Sequence, residues 1–82
     1  MSKNQTKKGI IFESELSKYM KLRDITSKEK LRSLTTVGSH GTIIKYFDNP
    51  ELIPVGKMNE IMQALRIPKE DRVRILTMLL ET

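Results

Sequence analysis

No apolar run in this chain exceeds three or four residues, and the apolar side chains return every three or four positions instead. That rhythm is the period of an α-helix. It leaves nothing near the roughly 20 consecutive apolar residues that a membrane-spanning helix needs. Nor does it give the strict alternation of a half-buried strand. Glycine, proline and hydroxyl-rich positions cut the rhythm into short pieces. The expectation is therefore an all-α domain, a compact bundle of about five short helices. At 82 residues the chain has room for one such domain.

The pieces follow in order. Phe12, Leu16, Tyr19 and Met20 share one face and predict a first helix over about 12–23. Glu13 and Glu15 then fall in its first turn, and Lys21 and Arg23 in its last, as the helix dipole prefers. Thr26-Ser27-Lys28-Glu29 has capping-box spacing, which makes Thr26 the N-cap of a short second helix with Leu31 and Leu34 inward. Val37-Gly38-Ser39 reads as a turn in which Gly38 permits a positive φ and Ser39 caps a third helix over about 40–47. Asp48-Asn49-Pro50 ends that helix. Val55, Met58, Ile61, Met62 and Leu65 predict a fourth helix. Pro68, followed by Glu70 and Asp71, opens a fifth that carries Val73, Ile75, Leu76, Leu79 and Leu80. The methionines at helical spacing read as core filling.

Charge divides the chain. Residues 1–47 hold ten basic and four acidic side chains (+6), and residues 48–82 hold five and six (−1). A basic first half suits a polyanionic partner, with nucleic acid the first candidate. Residues 1–9 are polar, contain Lys3, Lys7 and Lys8, and read as a flexible basic arm ahead of a single domain over 10–82. The chain has no cysteine, which removes disulfides, thiol catalysis and cysteine-based zinc sites and fits the reducing cytoplasm. No secretory leader is recognisable at the N-terminus.

Residues 25–47 carry the functional signal. A short capped helix, a glycine-containing turn and a second short helix opened by Ser39 make a helix-turn-helix. In such a unit the second helix lies in the major groove of DNA with its N-terminal residues against base edges. Thr26 to Leu34, Val37-Gly38-Ser39, Thr42-Ile43, Pro54 and Ile61-Met62-Gln63-Ala64-Leu65-Arg66-Ile67 follow one another in the order of the lambda-repressor-like helix-turn-helix family. Over about residues 12–80 the chain resembles that family of phage and bacterial regulators. The resemblance implies sequence-specific binding of double-stranded DNA by a transcriptional regulator, and by analogy a phage or mobile-element repressor. Aligning forward from Leu31 and backward from Ile43 differs by one residue, which predicts a turn one residue longer than the family's.

If Ile43 and Phe47 face the core, then Ser39, His40, Gly41, Thr42, Ile44 and Lys45 are the groove-facing candidates. Ser39 is either a cap alone or a cap that also meets DNA. Lys45 reaches a phosphate or a guanine edge, or is a solvated lysine. Thr42 and Ile44 suit a thymine methyl, with the core as the alternative for Ile44. His40 is a polar contact or a solvated residue, and as the single histidine it makes no metal site. Gly41 costs helix stability of about 1 kcal/mol against alanine. It implies close approach to a phosphate backbone, or a helix that begins later. Ser27, Lys28 and Lys30 at the start of the second helix suit a phosphate. Lys3, Lys7 and Lys8 would follow phosphates or enter a minor groove.

The apolar face of the fifth helix is wide. Either a second copy covers half of it, giving a homodimer, or the first helix and Ile10-Ile11 cover it. A dimer would hold two recognition helices about 34 Å apart over two half-sites. Two other functions compete with DNA binding. A protein-interaction module on the same fold is left open by Gly41, Ile44 and the irregular turn, and an exposed apolar third helix would favour it where a basic one favours DNA. An enzyme would need an acid–base or nucleophile constellation, and no such set, cofactor motif or small-molecule substrate site is recognisable.

Overall fold

The fold, taken from a computed structural model, is described for residues 5–82. Five α-helices follow one another, α1 (Lys7–Leu22), α2 (Lys28–Ser33), α3 (His40–Asp48), α4 (Val55–Ala64) and α5 (Lys69–Glu81), with one 3-10 turn at Pro50–Leu52. There is no strand among the described residues. The all-α expectation holds, and no helix among these residues is long and apolar enough to cross a membrane.

Helix α1 begins at Lys7, not at residue 12, so Lys7, Lys8 and Gly9 belong to the helix and not to an arm. Apolar spacing starts only at Phe12, but the helix start is fixed by contacts from far along the chain. The Thr6 side chain accepts from the Gly9 amide at 3.0 Å, and the Thr6 amide donates to Asp48 O at 3.0 Å. Gly9 lets the two helices touch backbone to backbone, since a Cβ there would lie 2.2 Å from Asp48 O. The earlier start also moves Glu15 out of the first turn. It is buried, with Arg74 Nη2 at 3.1 Å and Lys18 Nζ at 3.6 Å.

Two helix ends use the same closure. After α1 the Ile25 amide donates to Met20 O at 2.8 Å and the Asp24 amide to Lys21 O at 3.2 Å. After α4 the Ile67 amide donates to Met62 O at 3.1 Å and the Arg66 amide to Gln63 O at 2.9 Å. These are Schellman motifs, each sealed by a buried pair, Met20 with Ile25 and Met62 with Ile67. The left-handed residues are Asp24 (φ 60°) and Arg66 (φ 52°), while no glycine has a positive φ. The turn at Gly38 is thus made without the conformation expected of it. Arg23 ties the two ends together by donating to Leu65 O at 2.9 Å and Arg66 O at 3.0 Å.

The core runs along α1 through Phe12, Leu16 and Met20, and across to Leu31, Ile43 and Phe47. The Phe12 and Phe47 rings lie 5.3 Å apart and tilted, an arrangement worth about 0.5–1.5 kcal/mol beyond area burial. Leu34 is 51% exposed, because α2 ends at Ser33 and the chain turns away before its side chain reaches the core. Helix α3 packs against α1, α2 and the 3-10 turn, and α5 rests on α1. Only Ile75 and Leu79 of α5 are buried, so α1 covers one side of α5 and leaves the other open.

Candidate nucleic-acid interface

Helices α2 and α3 form the helix-turn-helix. Between the two caps, Leu34 and Ser39, lie four residues, Thr35–Gly38, the long end of the usual three or four. The N-cap of α2 is Ser27, not Thr26, for it is the Ser27 hydroxyl that accepts from the Lys30 amide, at 3.1 Å. Glu29 does not reach back in a capping box. Arg32 takes it in a bidentate grip, with Nε at 2.9 Å from Oε1 and Nη2 at 2.7 Å from Oε2. Arg32 also donates to Val37 O at 3.1 Å, which fixes the turn. The Glu29 carboxyl lies below the ordinary carboxylate range, chiefly through the Arg32 hydrogen bond.

The same carboxylate accepts from His40 Nδ1 at 3.2 Å, which requires the proton on that nitrogen. This contact brings the first turn of α2 beside the first turn of α3, so the two helix starts share one surface. The far side of the turn is held as well. The Thr36 amide and hydroxyl donate to Glu60 on α4 at 2.8 and 2.7 Å, and Lys57 binds the same hydroxyl. Those bonds pull the Glu60 carboxyl below its usual range, with the Thr36 hydroxyl the largest cause.

On α3, Ile43 and Phe47 are fully buried, which turns the opposite side outward. Ser39 caps the helix, accepting from the Thr42 amide at 3.2 Å, with the Thr42 hydroxyl 2.9 Å from its own. Ser39, His40, Gly41 and Lys45 are exposed, and Thr42 is half-buried. The helix begins at His40, so Gly41 is a helical residue and a later helix start does not account for it. A Cβ at Gly41 would meet only the Ser39 hydroxyl, at 3.9 Å, so nothing inside the protein requires a glycine there. Ile44 is half-buried, packs against the core, and lines a hollow with Ile10, Glu13 and Lys28. It leaves the outward face of α3 polar.

The basic candidates separate into free and committed groups. Lys30, Lys45 and Lys7 are exposed, with no ion pair to any described residue. Lys28 is committed, with its ammonium 3.2 Å from Glu13 and 5.0 Å from the centre of the Phe47 ring. Lys8 donates to Leu79 O at 2.6 Å and serves as a cap for the last turn of α5. Lys3 lies outside the described residues. No group of three metal-ligating side chains occurs among the described residues.

Sequence reasoning missed the Glu29–Arg32–His40 set, although its i, i+3 spacing was visible in Glu29 and Arg32. It also missed the tie from Thr36 to Glu60 and the close approach at Gly9, for which no local signal exists. Compared with known protein families, curated proteins and solved structures, the chain matches none.

Proposed function

We propose that this chain binds double-stranded DNA, setting α3 in the major groove, and acts as a sequence-specific transcriptional regulator of the phage-repressor type. The observation that carries the reading is Gly41. A glycine sits in the exposed first turn of α3, costs helix stability, and a Cβ in its place would meet nothing nearer than the Ser39 hydroxyl at 3.9 Å. Close approach of a DNA backbone gives it a purpose. Around it, Thr42 offers a hydroxyl and His40 its Nε2 acceptor to base edges, Lys45 an ammonium to a guanine edge or a phosphate, and Lys30 and Ser27 phosphate contacts from α2. The polar outward face of α3, with Ile44 turned to the core, supports DNA over a protein-binding groove filler.

The hollow at the C-terminal end of α5 suits a second copy. It is about 300 Å³, lined by Pro50, Met58, Leu76, Leu79 and Leu80, and its rim carries one cation and one anion, Lys8 and Glu51. A two-fold contact uses the same patch twice, so an apolar hollow with both signs at its rim is self-complementary. Two copies joined there would present paired recognition helices to paired half-sites.

The test is a pair of variants measured for DNA affinity and for melting. Lys45→Ala should weaken binding to a selected operator about tenfold or more with an unchanged melting temperature. Gly41→Ala should do the same with an unchanged or raised one. Unchanged affinity in both would remove α3 as the reading element and leave a protein contact as the use of the fold.

A further inference from the structure

Helices α4 and α5 are consecutive, yet α5 packs on α1 and a groove of about 600 Å³ opens between the two. Two stripes face it. From α4 come Val55, Met58 and Met62, and from α5 come Val73 and Leu76. Val55 is 87% exposed, Val73 56% and Leu76 38%, although each would be worth burying. The methionines make the floor deformable, as suits a surface that must fit a ligand side chain.

The α5 stripe is polarised. Lys69, Arg72, Val73 and Leu76 stand at i, i+3, i+4 and i+7, so the two cations and the two apolar residues share one face. Both cations line the groove, neither is ion-paired to a described residue, and no carboxylate lines it among the described residues. The helix dipole gives no reason for them, since it disfavours cations in a first turn. The neighbouring Asp71 does not serve them, for it is engaged with Tyr19 and Arg74.

We propose that this groove docks an amphipathic helix of another protein, one whose apolar stripe is continued at one end by carboxylates. Each lining stripe spans eight positions, about 10 Å or two helical turns, which matches a helix laid in a groove with anchors at i, i+3 or i+4, and i+7. Charge decides between this occupant and a second copy. Packed on itself across a two-fold axis, the groove would set Lys69 and Arg72 against a lining that holds no carboxylate among the described residues, so that pairing leaves both cations unanswered. The proposal is independent of DNA binding, and because Met58 and Leu76 line both this groove and the hollow at the end of α5, the two occupants compete for those side chains.

The test selects binders to the full chain from a displayed library of amphipathic helices of about 14 residues, apolar at i, i+3, i+4 and i+7 and random elsewhere. The expected outcome is enrichment of Asp and Glu at one end of the stripe, with amide shifts on binding confined to α4 and α5. Lys69→Glu with Arg72→Glu, both on the surface, should weaken the selected peptides about tenfold or more and restore binding to versions with Lys in place of Glu. Three results would overturn it: enrichment without acidic residues, binders unaffected by the double reversal, or no binders at the groove. Self-association of the chain that is lost on Val73→Glu would overturn it too, by assigning the groove to a second copy.

Discussion

Two glycines in comparable settings should respond to the same substitution with opposite signs. Gly9 is the third residue of α1 and Gly41 the second of α3. Alanine is the better helix former at either, by up to about 1 kcal/mol. At Gly41 nothing opposes that gain, because the new Cβ would stand 3.9 Å from its nearest neighbour. At Gly9 it would stand 2.2 Å from Asp48 O and 2.8 Å from two more backbone atoms of α3, so α1 and α3 must part by about 0.8 Å to reach even 3.0 Å. Such overpacking costs about 1–3 kcal/mol. Parting the helices also stretches the 3.0 Å bond from the Thr6 amide to Asp48 O, worth about 1 kcal/mol. Set against the propensity gain, Gly9→Ala should lose about 1–3 kcal/mol, or about 5–20 °C of melting temperature for a domain of this size. Gly41→Ala should gain up to a few degrees. Thermal unfolding followed by circular dichroism at 222 nm reads both. A Gly9→Ala protein as stable as the parent would refute the close approach of α1 and α3, and a destabilised Gly41→Ala would refute the open first turn of α3.

Arg66 holds a left-handed conformation that glycine adopts without penalty, so Arg66→Gly should raise stability by about 0.5–1 kcal/mol in urea titration. The carboxyls of Glu29 and Glu60 are both held below their ordinary range by hydrogen bonds. A depressed carboxyl contributes stability that is present above its unfolded value and lost as pH falls through the folded one. The melting temperature should therefore fall as pH drops below about 4, and Glu29→Gln with Glu60→Gln should flatten that fall. An unchanged acid slope in the double variant would contradict the two bonded carboxylates. Removing Arg32, which grips Glu29 and the turn carbonyl of Val37, should weaken DNA binding more than it lowers the melting temperature.

Much of the fold is legible in the sequence because short helices advertise themselves. Apolar spacing marks α4, Pro68 marks the start of α5, and Ser39 marks the start of α3 as its hydroxyl cap requires. What escaped depends on contacts between distant residues. Lys7-Lys8-Gly9 has no apolar rhythm, and it is helical because Asp48, at the end of α3, binds Thr6 and leaves room only for a glycine. Thr26 and Ser27 are equally good caps by chemistry, and the Met20–Ile25 closure decides where the second helix can begin. Asp24 and Arg66 take the left-handed positions because buried isoleucines follow them, a stronger constraint than the absence of a glycine. In the candidate site, residue type identified the exposed first turn of α3. It could not tell free lysines from committed ones. Lys28 and Lys30 look alike in the chain, and only the fold sets one against Glu13 and Phe47 and the other in solvent.

The central claim is that the joined starts of α2 and α3 form a surface for DNA, and a binding titration on a mixed-sequence duplex across a salt series tests it most directly. With Lys30 and Lys45 as unpaired cations on this surface and Lys7 beside the end of α3, the logarithm of affinity should fall linearly with the logarithm of salt at a slope of about −2 to −3 per copy. Lys30→Ala and Lys45→Ala should each make that slope shallower by about one. No binding at low salt, or a slope indifferent to both substitutions, would contradict the account.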